Sequence, residues 1–157
     1  MKSNIGISDK NLTSVSAILT TSLSNLMVLY TKTRKFHWNV SGDSFMEIHK
    51  LFESQYTQLE EAIDEVAERI GKLGFKAIGT MQEFLEHTTL KETPGKNPVQ
   101  KEMIRELLKD HESIITATRK NIDECDEKYK DAGTADFLTG LLQQHETIAW
   151  TLRRYLD

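Results

Sequence analysis

The fold is decided by residues Lys35–Leu73, with the sequence KFHWNVSGDSFMEIHKLFESQYTQLEEAIDEVAERIGKL. Apolar side chains recur there at spacings of three and four residues, a period that predicts one amphipathic helix. The apolar positions are Phe45, Ile48, Phe52, Tyr56, Leu59, Ile63, Val66, Ile70 and Leu73. Ser44 followed by Glu47 predicts a capping box at the start of this helix, and Gly74 predicts its end. The predicted central helix therefore runs from about Ser44 to Leu73.

A second stripe on the same helix carries metal-binding residue types. His49 and Glu53 are four residues apart, as are Asp64 and Glu68, so each pair lies on one side of the helix, one turn apart. The two pairs share a face because eleven residues make about three helical turns.

One helix cannot bring both pairs to one metal ion. At a rise of about 1.5 Å per residue, the pairs lie roughly 16 Å apart along the axis, whereas ligand atoms lie about 2.0–2.6 Å from a metal. An antiparallel copy of the helix would set Asp64 and Glu68 of one chain against His49 and Glu53 of the other. A two-fold axis then creates two identical sites at one interface, so the sequence predicts half-sites that a dimer completes.

Imidazole and carboxylate ligands together suit iron, manganese or zinc, and open coordination positions favour redox-active iron. His37 ends the first predicted helix and can fold back toward His49, with Trp38 beside it. A structural alternative remains open, since acids on a charged helix are usually solvated and histidines beside an apolar stripe are usually packed. None of the five histidines has Glu three residues before it, which argues against a di-iron site inside one bundle.

The remaining patterns predict an all-α chain. A 24-residue join separates the central helix from the next long helix, and TMQEFLEH within it predicts a short helix. Four long helices with a crossover between the second and third indicate a ferritin-like four-helix bundle. The other predicted helices cover residues 9–36, 80–87, 98–128 and 135–155.

Local signals predict how these helices begin. Thr80 and Glu83 form a second candidate capping box, and Asn97 followed by Pro98 predicts an N-cap with proline at the first helical position. Thr134 is the predicted cap of the last helix. Residues 1–8 are polar and are predicted to be a loose tail.

Composition limits the class of protein. The 157 residues suit a single domain, 1–157, with 38% hydrophobic and 28% charged residues. No run approaches the roughly 18 apolar residues of a membrane span, and the N-terminus lacks a signal-peptide core. Cys125 is the only cysteine, so a buried free thiol and a reducing cytoplasm are expected. His87, His111 and His145 lack ligand spacing and are interpreted as structural.

The run K-x-H-W-N-V-x-G-x-x-F-x-x-x-H-x-L-F-E, followed by D-E-x-A-E-R-I, resembles the Dps family (DNA-binding protein from starved cells). The tail D-A-G-T-A-D-F-L-T-G-L, followed by His145-Glu146 and Ala149-Trp150, is similar to the last helix of the same family, so the resemblance covers nearly the whole chain. It implies a ferritin-like subunit with a short helix in the crossover. It also implies a homododecamer with 23 symmetry and a ferroxidase site shared across each two-fold dimer.

The family pattern carries onto the predicted ligands, which are His37, His49, Glu53, Asp64 and Glu68. Many family members have Asp where this chain has Glu53, which changes the reach of that carboxylate but not its chemistry. The resemblance implies oxidation of Fe(II), preferably by hydrogen peroxide, storage of ferric mineral inside the shell, and protection of DNA in the bacterial cytoplasm or nucleoid. A two-metal site with one weak position is compatible with this ligand set.

Acidic residues near the start of the last helix form a second candidate site. A three-fold ring of such acids would attract Fe(II) into a pore, and the family lines its iron channels with acids here. The alternative is a solvated helix end, where carboxylates favour the helix dipole. The candidates are Asp126, Glu127, Asp131 and Asp136.

DNA binding is expected to be weak or absent. The formal net charge is −4 per chain, so a shell of twelve copies would be strongly negative and would repel a polyanion. The first twelve residues contain only two lysines. Two other classes remain as alternatives: a structural nucleoid protein that condenses DNA with little ferroxidase activity, and a helical adaptor whose apolar faces bind partner proteins.

Overall fold

The computed structural model describes residues 3–157, which form five α-helices and contain no strand. The helices are α1 (Asp9–Asn39), α2 (Phe45–Lys72), α3 (Met81–His87), α4 (Gln100–Asp123) and α5 (Ala132–Arg154). The short helix α3 lies in the long connection between α2 and α4. The all-α prediction of four long helices and one short helix in the crossover is confirmed.

Two helical pairs make the bundle: α1 packs mainly against α2, and α4 against α5. A buried ion pair joins the two halves, with Lys32 Nζ of α1 2.6 Å from Asp110 Oδ2 of α4. At one end, Arg69 of α2 donates to Thr134 Oγ1 of α5 at 3.0 Å. The core between the pairs is apolar, and its largest fully buried side chains include Phe36, Phe52, Leu19, Leu59, Ile70 and Leu107.

The apolar stripe of α2 faces this core, as its period predicts. Six of the nine predicted positions are buried, namely Ile48, Phe52, Leu59, Val66, Ile70 and Leu73. Tyr56 and Ile63 are half-buried at the edge of the stripe. Phe45 is exposed, because it lies in the first turn, outside the contact with α1.

The predicted capping box at Ser44 is wrong. Ser44 has φ 59°, in the left-handed region, and its side chain makes no capping hydrogen bond. Glu47 instead accepts a hydrogen bond of 2.7 Å from the Tyr155 hydroxyl. The tight turn that reverses the chain between α1 and α2 therefore determines the Ser44 backbone. At the other end of α2, Gly74 has φ +92°, which confirms the predicted glycine stop.

The other caps give a mixed result. The box at Thr80 and Glu83 is confirmed, with both reciprocal hydrogen bonds present. The cap predicted at Asn97 and Pro98 is wrong, since α4 begins at Gln100 with Val99 as its N-cap. Thr134 is not the cap of α5 either: Asp131 takes that position and accepts a hydrogen bond of 2.9 Å from the Thr134 amide.

The predicted loose tail contacts the helices at two points. The Ser3 hydroxyl donates to the Leu73 carbonyl at 3.2 Å, and the Ser8 side chain accepts from the Asn11 amide to cap α1. The looseness of the tail stays a prediction, and residues 1–2 lie outside the described part of the chain.

The helix predicted over 98–128 changes its geometry near its end. Residues Glu124–Lys128 form one π-helical turn between α4 and α5. This turn buries Cys125, and burial raises the pKa of its thiol to about 11. The thiol is therefore protonated and unreactive at neutral pH, as expected for a structural cysteine.

Helix α1 corrects the expectation that no stretch of the chain approaches the length and hydropathy of a membrane span. It contains an 18-residue window long and apolar enough to cross a membrane by length and composition alone, although no uninterrupted apolar run is present. Half of that window is buried inside the bundle, and the buried side chains of α1 include Val15, Leu19, Leu23, Leu26 and Leu29. The hydropathy of α1 is accounted for by its place in the core.

Candidate metal centre

Two of the predicted ligands meet where α1 ends and α2 begins. His37 lies in the last turn of α1 and is buried, and His49 lies in the second turn of α2 and is half-buried. Their rings stack with centroids 3.7 Å apart and planes inclined by 20°. The turn at residues 40–44, with Gly42 at φ +107°, reverses the chain and brings the two histidines together.

Reciprocal hydrogen bonds fix both imidazoles. His37 Nδ1 lies 2.8 Å from the His49 carbonyl oxygen, and His49 Nδ1 lies 2.9 Å from the His37 carbonyl oxygen. A carbonyl can only accept, so each Nδ1 carries the proton. In a neutral ring this leaves Nε2 with a lone pair, the form in which histidine binds a metal. The backbone of each residue thus selects the metal-binding tautomer of the other.

The predicted carboxylates lie on the solvent side of α2. Glu53 is exposed one turn beyond His49. Asp64 and Glu68 are also exposed, and Glu68 Oε2 lies 3.7 Å from Lys72 Nζ. Asp64 lies roughly 16 Å beyond Glu53 along α2, and Glu68 lies one turn further, as the helical rise requires. The chain therefore brings His37 and His49 together beside Glu53, but not Asp64 or Glu68.

No three His, Cys, Asp or Glu side chains come together as a group that could hold a metal ion within residues 3–157 of one chain. The donor set still fits Fe(II) chemically. Two imidazole nitrogens with free lone pairs and an adjacent exposed carboxylate are ligands that iron accepts. In one chain this set has a buried histidine, a half-buried histidine and an exposed carboxylate.

Trp38 follows His37 and is 66% exposed. The Arg34 guanidinium lies 5.4 Å from the centre of its indole ring, a cation–π contact. Trp38 therefore lies next to the histidine pair on the surface of the single chain.

The four candidate pore acids differ in their surroundings. Asp126, Glu127 and Asp136 are exposed near the junction of α4 and α5. Asp131 is buried, and its carboxylate accepts from the Thr134 amide, the Thr134 hydroxyl at 2.6 Å and Arg69 at 3.3 Å. It caps α5 and joins α5 to α2, and its assignment as a pore acid stays a prediction.

One buried polar pair was missed from the sequence. His111 of α4 and His145 of α5 are both buried, with their Nδ1 atoms 2.8 Å apart. Burial lowers the pKa of His145 to about 4 and lowers the pKa of His111 well below its usual value, with the neighbouring histidine as a second cause for His111. Both residues lie in the apolar stripes of their helices, and this pattern predicts that they are buried. It does not predict that the two histidines contact each other.

An aromatic group around Arg34 was also missed. Tyr30, Arg34 and Tyr56 lie together beside His37. The spacing of Tyr30 and Arg34, four residues apart on one helix, was the only sequence signal for it.

A four-helix bundle with a long crossover and a histidine–carboxylate face defines a ferritin-like protein, and comparison with known proteins agrees. A family model described as a ferritin-like domain matches residues 16–157. DNA protection during starvation protein 2 of Bacillus anthracis is 34% identical, covering 89% of this chain and 94% of its own. The Dps structure from Thermosynechococcus elongatus is 32% identical with a TM-score of 0.90, covering 94% of this chain and 93% of its own.

A third comparison adds the chemistry of the class. The Dps structure from Vibrio cholerae O1, described as a member of a broad superfamily of ferritin-like diiron-carboxylate proteins, is 27% identical with a TM-score of 0.93. It covers all of this chain and 98% of its own. The chain belongs to the Dps family of ferritin-like proteins.

Proposed function

We propose that this protein is a ferroxidase and iron store whose oxidising centres form between two copies of the chain. The observation that carries the proposal is the histidine pair: His37 and His49 present two Nε2 lone pairs whose tautomers are fixed by backbone carbonyls. A pair of histidines with only a packing role would not need both protons fixed on Nδ1, which leaves each Nε2 with its lone pair.

The remaining ligands come from two chains. Glu53 lies on the same face as the histidines, and Asp64 and Glu68 of the opposing chain complete the centre in an antiparallel dimer. Their exposure on the isolated chain supports this, because a carboxylate that awaits a partner chain must lie on the surface. A two-fold axis gives two such centres for each dimer.

Iron is the substrate of this centre. The imidazole and carboxylate groups bind Fe(II), and oxidation of two Fe(II) ions by one hydrogen peroxide gives two Fe(III) ions and two waters after uptake of two protons. Both electrons reach the same peroxide, so no hydroxyl radical is released. The ligand set allows two metal positions, one of them weak.

The wider assignment follows from the family. We infer a dodecameric shell with 23 symmetry, which stores ferric mineral in its cavity and protects DNA in the bacterial cytoplasm by removing Fe(II) and peroxide. The single hydrophobic core of the described residues supports a single domain over 1–157. DNA binding itself is weak or absent, since the shell has a large negative charge.

The proposal is tested by anaerobic Fe(II) loading followed by hydrogen peroxide, with ferric absorbance recorded over time. We expect fast oxidation by the wild-type protein, with the iron kept soluble in a large assembly. A His37→Ala/Asp64→Ala variant should oxidise Fe(II) at least tenfold more slowly, as expected when metal ligands are lost.

His87→Ala is the matched control, because His87 is exposed on α3 and its ring donates a hydrogen bond to the Glu83 carbonyl within the same helix. It should behave as the wild type. Wild-type oxidation no faster than buffer would reject the ferroxidase assignment.

A further inference from the structure

A tyrosine packs against the histidine pair. Tyr56 comes from α2, two turns beyond His49, and is half-buried. Its ring meets the His37 ring at right angles, with centroids 5.2 Å apart and planes inclined by 79°. Edge-to-face aromatic contacts of this kind are attractive and have a defined orientation.

Tyr56 is itself held in place. The Arg34 guanidinium lies 4.5 Å from the centre of the Tyr56 ring. Arg34 also donates a hydrogen bond of 2.8 Å to the Tyr30 hydroxyl, and the Tyr30 ring meets Tyr56 edge-on at 6.2 Å. Tyr56 is therefore fixed on α2 by two side chains of α1, the helix that carries His37.

His37 needs such support because of its position. It lies in the last turn of α1, two residues before the helix ends at Asn39, where helices fray. Its hydrogen bond to the His49 carbonyl fixes the proton on Nδ1 but still permits the ring to swing about that bond. The stacked His49 ring and the edge-on Tyr56 ring contact His37 from two directions and remove this freedom.

We propose that Tyr56, held by Arg34, is a positioning residue that keeps the His37 imidazole stacked on His49 with its Nε2 directed at the cation. This inference rests on the proposed function, since it assigns a role in binding Fe(II). Tyr56 acts through His37 and contributes no ligand of its own.

Cobalt(II) binding to the assembled metal-free protein tests the proposal, since the visible absorption of cobalt reports its coordination by histidine and carboxylate. Tyr56→Leu should weaken cobalt binding by about tenfold, the effect typical of a lost supporting contact. Tyr56→Phe keeps the ring and should bind within about twofold of the wild type. Equal affinities for the wild type and Tyr56→Leu would overturn the inference.

A metal-free measurement separates this inference from the proposed function. In protein with ¹³C- and ¹⁵N-labelled histidine, the wild-type His37 ring should be rigid on the nanosecond timescale, and Tyr56→Phe should keep it so. Tyr56→Leu should keep the tautomer protonated at Nδ1, because the His49 carbonyl still accepts that proton, but should lower the order parameter of the His37 ring. An unchanged order parameter in Tyr56→Leu would refute positioning by Tyr56 even if the wild type oxidises iron, whereas failure of wild-type iron oxidation alone would refute only the proposed function.

Discussion

At the scale of single residues, the hydrogen-bond partners of a polar side chain show whether it stabilises the fold or keeps an atom available for a ligand. His37 and His49 each use one ring nitrogen for a backbone carbonyl and keep the other free. Asp131 uses its carboxylate for Thr134 and Arg69. The histidine pair keeps the ring nitrogens that the proposed site requires, whereas the carboxylate of the aspartate is bound within the fold.

Replacing Asp131 should therefore reduce stability rather than iron uptake. Asp131→Ala removes the cap of α5 and leaves the Thr134 amide and Arg69 without their partner, so we expect the free energy of unfolding to fall by about 2 kcal/mol. Urea denaturation at pH 7 measures this. Asp136→Ala, an exposed acid of the same helix, is the control and should change stability by less than about 0.5 kcal/mol. Equal stabilities of the two variants would contradict the capping role.

At the scale of helices, periodicity predicted more than capping signals did. The stripe of α2 predicted its bounds to within one residue, because burial of one helical face repeats over 28 residues. A cap depends on one local turn. Ser44 makes no capping hydrogen bond, because its backbone is left-handed in the turn that reverses the chain. The same turn stacks the His37 ring on the His49 ring, and the spacing of residues in the sequence does not predict that stacking.

Loop contacts explain the late start of α4. The Asn25 amide oxygen accepts from Thr89, and Lys35 Nζ donates to the carbonyl oxygens of Thr93 and Lys96. These bonds attach the connection after α3 to α1. These tertiary contacts determine the path of the loop up to Val99. The Asn97-Pro98 pair is a local signal, so it does not predict where α4 begins.

The contact between α4 and α5 should make the bundle sensitive to acid. The neutral His111 and His145 share one proton between their Nδ1 atoms, and burial lowers the pKa of His145 to about 4. In the unfolded chain the same group titrates near 6.5. The unfolded state thus binds more protons as pH falls, and the free energy of unfolding should decrease between about pH 6.5 and pH 4, by on the order of 3 kcal/mol for His145.

Urea denaturation at several pH values tests this dependence. A His111→Leu/His145→Leu variant removes both groups and should show a flatter decline over the same range. His87→Leu alters an exposed histidine and should keep the wild-type slope. A double variant with the wild-type slope would show that other groups cause the acid sensitivity.

At the scale of the whole molecule, the sequence already predicted that one chain is incomplete. Glu53 and Asp64 are eleven positions apart on one helix, which separates the two predicted half-sites, and the carboxylates Glu53, Asp64 and Glu68 all lie at the surface. The shell and its symmetry are expected from the resemblance to a known family, because helical periodicity alone does not predict how chains assemble.

Mixed assemblies test the central claim, the shared centre, most directly. We expect His37→Ala and Asp64→Ala chains to be inactive when each is assembled alone, because every proposed centre then lacks one ligand. In a dimer of one chain of each kind, one centre lacks both residues and the other is complete.

After the two variants are unfolded together and reassembled at equal concentrations, half of the dimers are mixed. About a quarter of the centres are then intact, so we expect about a quarter of the wild-type rate of Fe(II) oxidation by hydrogen peroxide. The same variants assembled separately and then combined should stay inactive. Co-assembled shells of normal size with no recovered oxidation would contradict a centre built from two chains.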